Sequence, residues 1–313
     1  MAKEAFENKK FSSLSLAFIE VINSILDEYE SLGYDLTLRQ LYYQLVSRNI
    51  VENTEKSYAK IGALVSDARL SGLVDWSMIS DRGRSCIQNP HWDSPADFLE
   101  HVAPQYRIDL WSTQQNYVEV MVEKQALEGV LLPVCRKWDV PFTANKGYSS
   151  SSAMYLAGQR FATKAKESRD LHIIYLGDHD PSGLDMSRDI GARMDLFVGT
   201  MLIDPDDVDS DTDEAEYLFD GMITVHRVAL NMDQIRALQP PENPAKLTDS
   251  RSGAYVKKFG YSSWELDAIE PTQLVKLVED TITSLLFPAT FESRRVEQIQ
   301  GRAALMQYAR SYK

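Results

Sequence analysis

Residues 171–183 read Leu171-His172-Ile173-Ile174-Tyr175-Leu176-Gly177-Asp178-His179-Asp180-Pro181-Ser182-Gly183, an apolar run that stops in two aspartates, a proline and a glycine. A short apolar run closed by such residues reads as a buried strand, and the chain from Ser182 reads as a helix over 182–197. The same grammar occurs upstream. An apolar strand over 117–122 runs into Glu123, followed by a helical pattern over 124–137, a strand over 140–143 and a helix over 150–166. Downstream come a strand over 222–229, a helix opened by Asn231, a loop with Pro240, Pro241 and Pro244, and helices over 271–286 and 289–312. Strands alternating with helices predict a parallel sheet with helices on its faces, an α/β fold.

In an open parallel sheet, ligands bind beyond the carboxyl ends of the strands. Two strands here end in acids: Val120-Met121-Val122 in Glu123, and Ile173-Ile174-Tyr175-Leu176-Gly177 in Asp178 and Asp180. Three carboxylates at one edge make a hard oxygen site suited to Mg²⁺, which keeps waters and bridges carboxylates to phosphate oxygens. Gly177 and Gly183 are expected to permit tight turns around the pair. An isolated Asp-x-Asp before a helix reads more readily as a helix cap. The strand-Glu-helix unit upstream tips the reading toward a metal.

The first third of the chain has a different pattern. Leu14, Phe18, Ile22, Ile25, Leu26 and Tyr29 recur at helical spacing over 12–32, and Gly33 ends the helix. Thr37 caps a helix over 38–47, a third follows over 57–70, and the alternation of residues 73–79 predicts a strand. Three helices and a short strand pair form the pattern of a winged helix-turn-helix. Pro90, Pro95 and Pro104 punctuate the connection to the sheet, dividing the chain into residues 1–108 and 109–313.

On the second of these helices Leu38, Leu41, Tyr42 and Leu45 share one apolar face, so Tyr42 belongs to the core. Tyr43 falls off that face and aligns with Arg39, four residues earlier. An arginine beside an exposed phenol can hold a phosphate and favour the phenolate, and such a tyrosine can attack a phosphodiester. By itself, Tyr43 reads more simply as a residue packed at the domain surface.

These motifs together carry a family resemblance. Val122-Glu123-Lys124 followed by Gly177-Asp178-His179-Asp180-Pro181-Ser182-Gly183 resembles the Toprim fold of topoisomerases, bacterial primases and some nucleases. The form Asp-x-Asp-Pro-x-Gly is most similar to the A subunit of topoisomerase VI and its meiotic double-strand-break relatives. Arg39-Gln40-Leu41-Tyr42-Tyr43, ahead of the Toprim-like part, matches the Arg-x-x-Tyr/Phe-Tyr motif on that family's winged-helix domain. The resemblance implies Mg²⁺ at Glu123, Asp178 and Asp180, Tyr43 as nucleophile and Arg39 as its helper. It implies a homodimer that cleaves double-stranded DNA, with a separate ATPase B-type subunit where an ATP-driven cycle exists. The chain is short for a full A subunit and looks more like compact, stand-alone homologues.

Other features test this reading. The chain of 313 residues carries a net charge of −13, from 33 Lys+Arg against 46 Asp+Glu, which at face value opposes nucleic acid. Nine of those acids fall within residues 201–220, so a single solvated acidic loop separates −13 from −4 for the remainder. The net charge therefore excludes neither a local basic surface nor DNA. Lys56, Lys60, Arg69, Arg82 and Arg84 around the third helix, and Lys246 and Arg251 later, are the candidate DNA contacts. Glu265 and Asp267 read first as a helix start, with a further carboxylate for the metal site as the alternative. His179 is expected to point away from its flanking aspartates, as alternate residues do on extended chain. The opening Met-Ala-Lys-Glu lacks an apolar signal segment, no run is long enough for a membrane span, and Cys86 and Cys135 read as reduced thiols. The expectation is a cytoplasmic, nucleoid-associated protein without a membrane partner. Two rivals stand beside tyrosine transesterification: a Toprim nuclease that uses water, and a non-catalytic winged-helix DNA-binding protein.

Overall fold

The computed structural model describes residues 3–33, 35–80, 89–203 and 221–311. Its centre is a four-stranded, all-parallel sheet of order β2-β1-β3-β4, built from β1 (Asn116–Val122), β2 (Phe142–Ala144), β3 (Asp170–Leu176) and β4 (Ile223–Ala229). The α/β class read from the strand-helix alternation is the class observed. Side chains of β1 and β3 alternate strictly between two cores. Val118, Val120, Val122, Ile174 and Leu176 face one layer, which includes α5 (Glu128–Lys137) and α10 (Pro271–Ser284). Tyr117, Met121, Leu171, Ile173 and Tyr175 face the other, with α6 (Ser151–Lys166) and α7 (Pro181–Leu202). This period-two division is why those strands read as continuous apolar runs: both faces are covered.

The amino-terminal helices α1 (Ser13–Ser31), α2 (Leu38–Ser47) and α3 (Glu55–Leu70) make a third core. Local chemistry starts each one. Ser12 caps α1 by accepting from the Ser15 amide, Thr37 and Gln40 form a reciprocal capping box on α2, and Thr54 caps α3. The strand expected over 73–79 is absent; the segment is a series of turns with isolated bridges at Ser71 and Ile79. Asp75 is the cause. Its carboxylate accepts from both the amide and the hydroxyl of Ser77, at 2.8 and 2.7 Å, and this local bond bends the chain out of extension.

The connecting stretch is also more ordered than its prolines imply. Ser94 caps α4 (Pro95–Val102), with Pro95 in the first turn where its missing N–H costs nothing. α4 packs on the carboxyl-terminal helix α11 (Pro288–Ser311). The loop after β4 carries α8 (Met232–Leu238), the short pair β5 (Asn243–Pro244) and β6 (Ser262–Ser263), and α9 (Ser252–Phe259), which no sequence pattern announced. The chain after β6 then reaches back to the first core. Ala268 is part of that core, and the Tyr29 hydroxyl donates to Glu270 at 2.7 Å. No helix among the described residues is long and apolar enough to cross a membrane.

At the amino-terminal end of the sheet, His172 Nδ1 and His226 Nε2 lie 3.0 Å apart, and His172 Nε2 lies 3.1 Å from Asn116 Oδ1. Burial pushes both imidazoles below the ordinary value of 6.5, and each would repel the other if charged; Asp170 opposes this for His172. A histidine with a lowered folded-state value stabilises the fold above the unfolded value and loses that contribution as the pH falls. The melting temperature is therefore expected to drop as the pH falls below 6.5. His172→Asn with His226→Gln should flatten that limb of the Tm–pH curve, and an unchanged limb would clear the pair of this role.

Candidate active site at the carboxyl edge of the sheet

Parallel register sets Val122 beside Leu176 and Leu176 beside Ala229, so three strands end level. The ladder continues one step further, with Glu123 N–H donating to Leu176 O and Gly177 N–H to Ala229 O, both at 2.9 Å. The Asp178 amide then donates to Glu123 Oε2 at 2.8 Å. Asp178 itself accepts from the Leu266 amide at 2.7 Å and pairs with the Lys124 ammonium at 2.9 Å. Asp180 behaves differently: it caps α7, accepting from the Gly183 amide at 2.6 Å. The capping role thus belongs to Asp180 and not to Asp178. His179 points away from both, into a cage of Tyr255, Phe259 and Trp264, with Nδ1 2.9 Å from the Tyr255 hydroxyl.

The two glycines serve close approach and not unusual dihedrals. A Cβ on Gly183 would sit 2.3 Å from the Asp178 carbonyl oxygen, and one on Gly177 would sit 2.7 Å from the Tyr175 hydroxyl and 2.9 Å from Glu123 Oε2. Beneath the loop lies Arg227 of β4. Its guanidinium donates to the carbonyls of Gly177, Asp178, Gly183 and Leu230, at 2.7 to 3.3 Å. One half-buried cation thereby fixes the backbone that presents both aspartates.

Five carboxylates (Glu123, Asp178, Asp180, Glu265, Asp267) gather with three cations (Arg39, Lys124, Arg227) at this edge. Burial first, and then the neighbouring acids, push Glu123 above the ordinary carboxylate range; burial does the same for Asp178 against the pull of Lys124. Asp267 is buried, and its Oδ1 has no hydrogen-bond partner. A hard divalent cation suits this chemistry, since it would relieve charge that burial disfavours. Spacing is less favourable: among the described residues, no group of three or more His, Cys, Asp or Glu is gathered closely enough to hold a metal ion.

Tyr43 departs from its expected setting. Tyr42 and Tyr43 are both 4% exposed, so Tyr43 is not an exposed phenol. The helical wheel left its side open, but the turn Leu266–Ala268, more than 200 residues away, covers it. Tyr42 donates to the carbonyls of Glu52 and Thr54 at 3.2 and 3.1 Å, as a core tyrosine should. The Tyr43 hydroxyl interacts with both Arg39 and Glu265. Burial and the Glu265 charge raise its pKa more than Arg39 lowers it, so the phenolate is disfavoured and not favoured. Arg39 is committed to Glu265, with one guanidinium nitrogen 2.9 and 3.1 Å from the two carboxylate oxygens.

The candidate DNA contacts scatter. Lys56 and Lys60 are exposed on α3, four residues apart on one face. Arg69 instead clamps the turn after α3, donating to Trp76 O at 2.8 Å and Ile79 O at 3.3 Å, with its guanidinium 4.4 Å from the Trp76 ring. Lys246 is exposed beyond β5. Arg251 is tied to Asp185 of α7 at 2.9 Å and to Asp249. Arg82, Arg84, Cys86 and the acidic stretch 204–220 lie outside the described residues.

Lys124 and Arg227 escaped the sequence reading, and Glu265 and Asp267 read first as a helix start. Lys124 was visible only as the neighbour of Glu123. Glu265 and Asp267 form a turn that bridges two cores and not merely a helix start. Arg227 had one faint signal, an arginine within a β-branched strand. No family model matches the chain, and no curated protein or solved structure matches it either.

The different bonding of the two aspartates has a measurable consequence. Asp180→Ala removes a helix cap and is expected to cost about 1 kcal/mol of unfolding free energy. Asp178→Ala strips Lys124 of a buried partner and orphans the Leu266 amide, a loss on the order of 3 kcal/mol. Urea titration without divalent metal measures both, and equal costs would disprove the assignment.

Proposed function

We propose that the chain is a Mg²⁺-dependent DNA-cleaving enzyme of the topoisomerase VI A-subunit type, with a winged-helix-like part in residues 1–108 and a Toprim-like part in residues 109–313. One observation carries the reading. The Tyr43–Arg39 pair of α2 meets the carboxyl edge of the parallel sheet through a continuous chain of contacts, Arg39 to Glu265, Glu265 to Lys124 and Lys124 to Asp178. Two motifs far apart in sequence, each unremarkable alone, share one site. The three helices α1–α3 support a helix-turn-helix, although the segment 73–79 contributes turns in place of a wing strand.

In this reading Glu123, Asp178 and Asp180 would hold Mg²⁺, which stabilises negative charge on the phosphate when bound. The protein's own residues do the rest. The Tyr43 oxygen attacks a DNA phosphorus and gives up its proton to solvent, an O–P bond forms, the bond to the 3′ oxygen breaks, and that oxygen takes a proton from solvent and leaves as a 3′-hydroxyl. Arg39 orients the phosphate by charge-assisted hydrogen bonds. Since Tyr43 is buried, α2 must part from the turn Leu266–Ala268 before attack. Double-stranded DNA as substrate, a homodimer, a separate ATPase subunit and a nucleoid location belong to the same proposal. The burial and raised pKa of Tyr43 favour one second reading, a nuclease in which water replaces the phenol.

The test is the bond itself. Incubation with supercoiled DNA and Mg²⁺, then denaturation, should leave protein joined to 5′ ends, with peptide mapping placing the adduct on Tyr43. Tyr43→Phe should keep DNA binding and lose both adduct and cuts, whereas Tyr42→Phe should keep both. Cutting by Tyr43→Phe at the wild-type rate would establish the water-using nuclease. Binding without any cut or adduct would leave a non-catalytic DNA-binding protein.

A further inference from the structure

Arg39 and Lys124 come from α2 and from the residues just beyond β1, and a single carboxylate joins them. Glu265 accepts from Arg39 at 2.9 and 3.1 Å and from Lys124 at 3.1 Å. Asp267 lies behind, with Oδ2 3.7 Å from Lys124 and 3.8 Å from Arg39, and with Oδ1 buried and unpartnered. Two cations converging on a planar anion are the arrangement that binds a phosphate: a guanidinium supplies directed donors and an ammonium a point charge. Access exists. A cleft of about 460 Å³, lined by Arg39, Tyr42, Tyr43, Asn53, Tyr58 and Glu265, opens beside Arg39 and Glu265, and the Lys124 side chain behind Glu265 is 20% exposed. The Arg39 side chain is 52% exposed. Among the described residues, the acids within 4 Å of these two cations are Asp178, Glu265 and Asp267.

We propose that Arg39 and Lys124 form a phosphodiester-binding subsite, and that Glu265 fills it in the free protein as an internal stand-in which DNA must displace. The inference rests on the DNA-cleaving reading, which supplies the ligand. Displacement does two things at once. It hands both cations to the backbone phosphate, and it lifts the Leu266–Ala268 turn from α2, so that Tyr43 is uncovered only when a phosphate is present. Lys124, unassigned in that reading, becomes a substrate-binding residue, and Glu265 the residue that couples binding to exposure of the nucleophile.

Binding without cleavage tests the proposal. The full chain in EDTA is titrated into a fluorescein-labelled DNA duplex, read by anisotropy across a range of salt. Glu265→Gln should bind at least about fivefold tighter, with a log Kd–log salt slope steeper by about one unit for the extra phosphate neutralised. Lys124→Met in the Glu265→Gln chain should abolish the gain. Glu270→Gln, which removes a nearby charge held by Tyr29, should leave the affinity unchanged. An affinity gain that is absent, survives Lys124→Met or appears equally in Glu270→Gln overturns the proposal. If Glu265→Gln does not fold, hydrogen exchange of the wild-type chain decides. Amides of residues 264–268 should exchange faster with the duplex present, and unchanged or slower exchange refutes displacement. A Tyr43 adduct without the Glu265→Gln gain removes the subsite alone. The gain without an adduct removes the cleavage chemistry alone.

Discussion

The ammonium of Lys124 is the point on which this edge of the molecule turns. It lies within 4 Å of Asp178, Glu265 and Asp267, three acids from two distant stretches of chain. Burial alone would drive such a group toward its neutral amine, yet the surrounding carboxylates raise its pKa well above the ordinary lysine value. The reverse holds for the acids. Without Lys124, Asp178 would be a buried charge with only a backbone amide to satisfy it, a costly arrangement. The cation and the acids are therefore mutually obligatory, and the segment 264–268 is held at the strand ends because its backbone and side chains complete the set.

That cluster also explains how the amino-terminal helices are attached to the sheet. The first core is apolar and largely self-contained, but it takes in Ala268, which the same segment delivers. Arg39 extends the ion-pair network from the sheet edge to α2, and Tyr29 reaches Glu270 one turn on. Ion pairs that are half exposed contribute little stability each. In this contact only Arg39 is half exposed, whereas Tyr43, Leu266, Asp267 and Ala268 are buried. The Arg39–Glu265 pair is therefore the member of this contact most readily exchanged for another ionic contact.

A second constraint works from below. Arg227 lies half-buried under the Asp178–Gly183 loop and donates to the carbonyls of Gly177, Asp178, Gly183 and Leu230. It holds a cation near the acids without neutralising any one of them directly. The backbone that carries Asp178 is thus held from below by donors to its carbonyls, while its carboxylate pairs with Lys124 and burial disfavours the charge on Glu123.

Much of this was legible in the chain. Periodicity alone determined the parallel sheet, because β1 and β3 are apolar on both faces and only a two-sided core produces that pattern. Thr37 was readable as the cap of α2 because a cap is a local hydrogen bond, whereas Ser12 reads as helix and Thr54 as connection, and both prove to be caps. The alignment of Glu123 with Asp178 followed from strand ends being level in a parallel sheet. A helical wheel, however, counts only the neighbours a helix brings to itself. It left Tyr43 exposed and Arg39 free, and a turn more than 200 residues later decided otherwise. Nor could spacing distinguish Asp178 from Asp180: one is a buried partner of Lys124 and the other a helix cap. The chain by itself determined which elements form and which chemistry its residues can carry. The tertiary structure alone decided which charges neutralise one another, since Coulomb pairing depends on distance in space and is blind to distance along the chain.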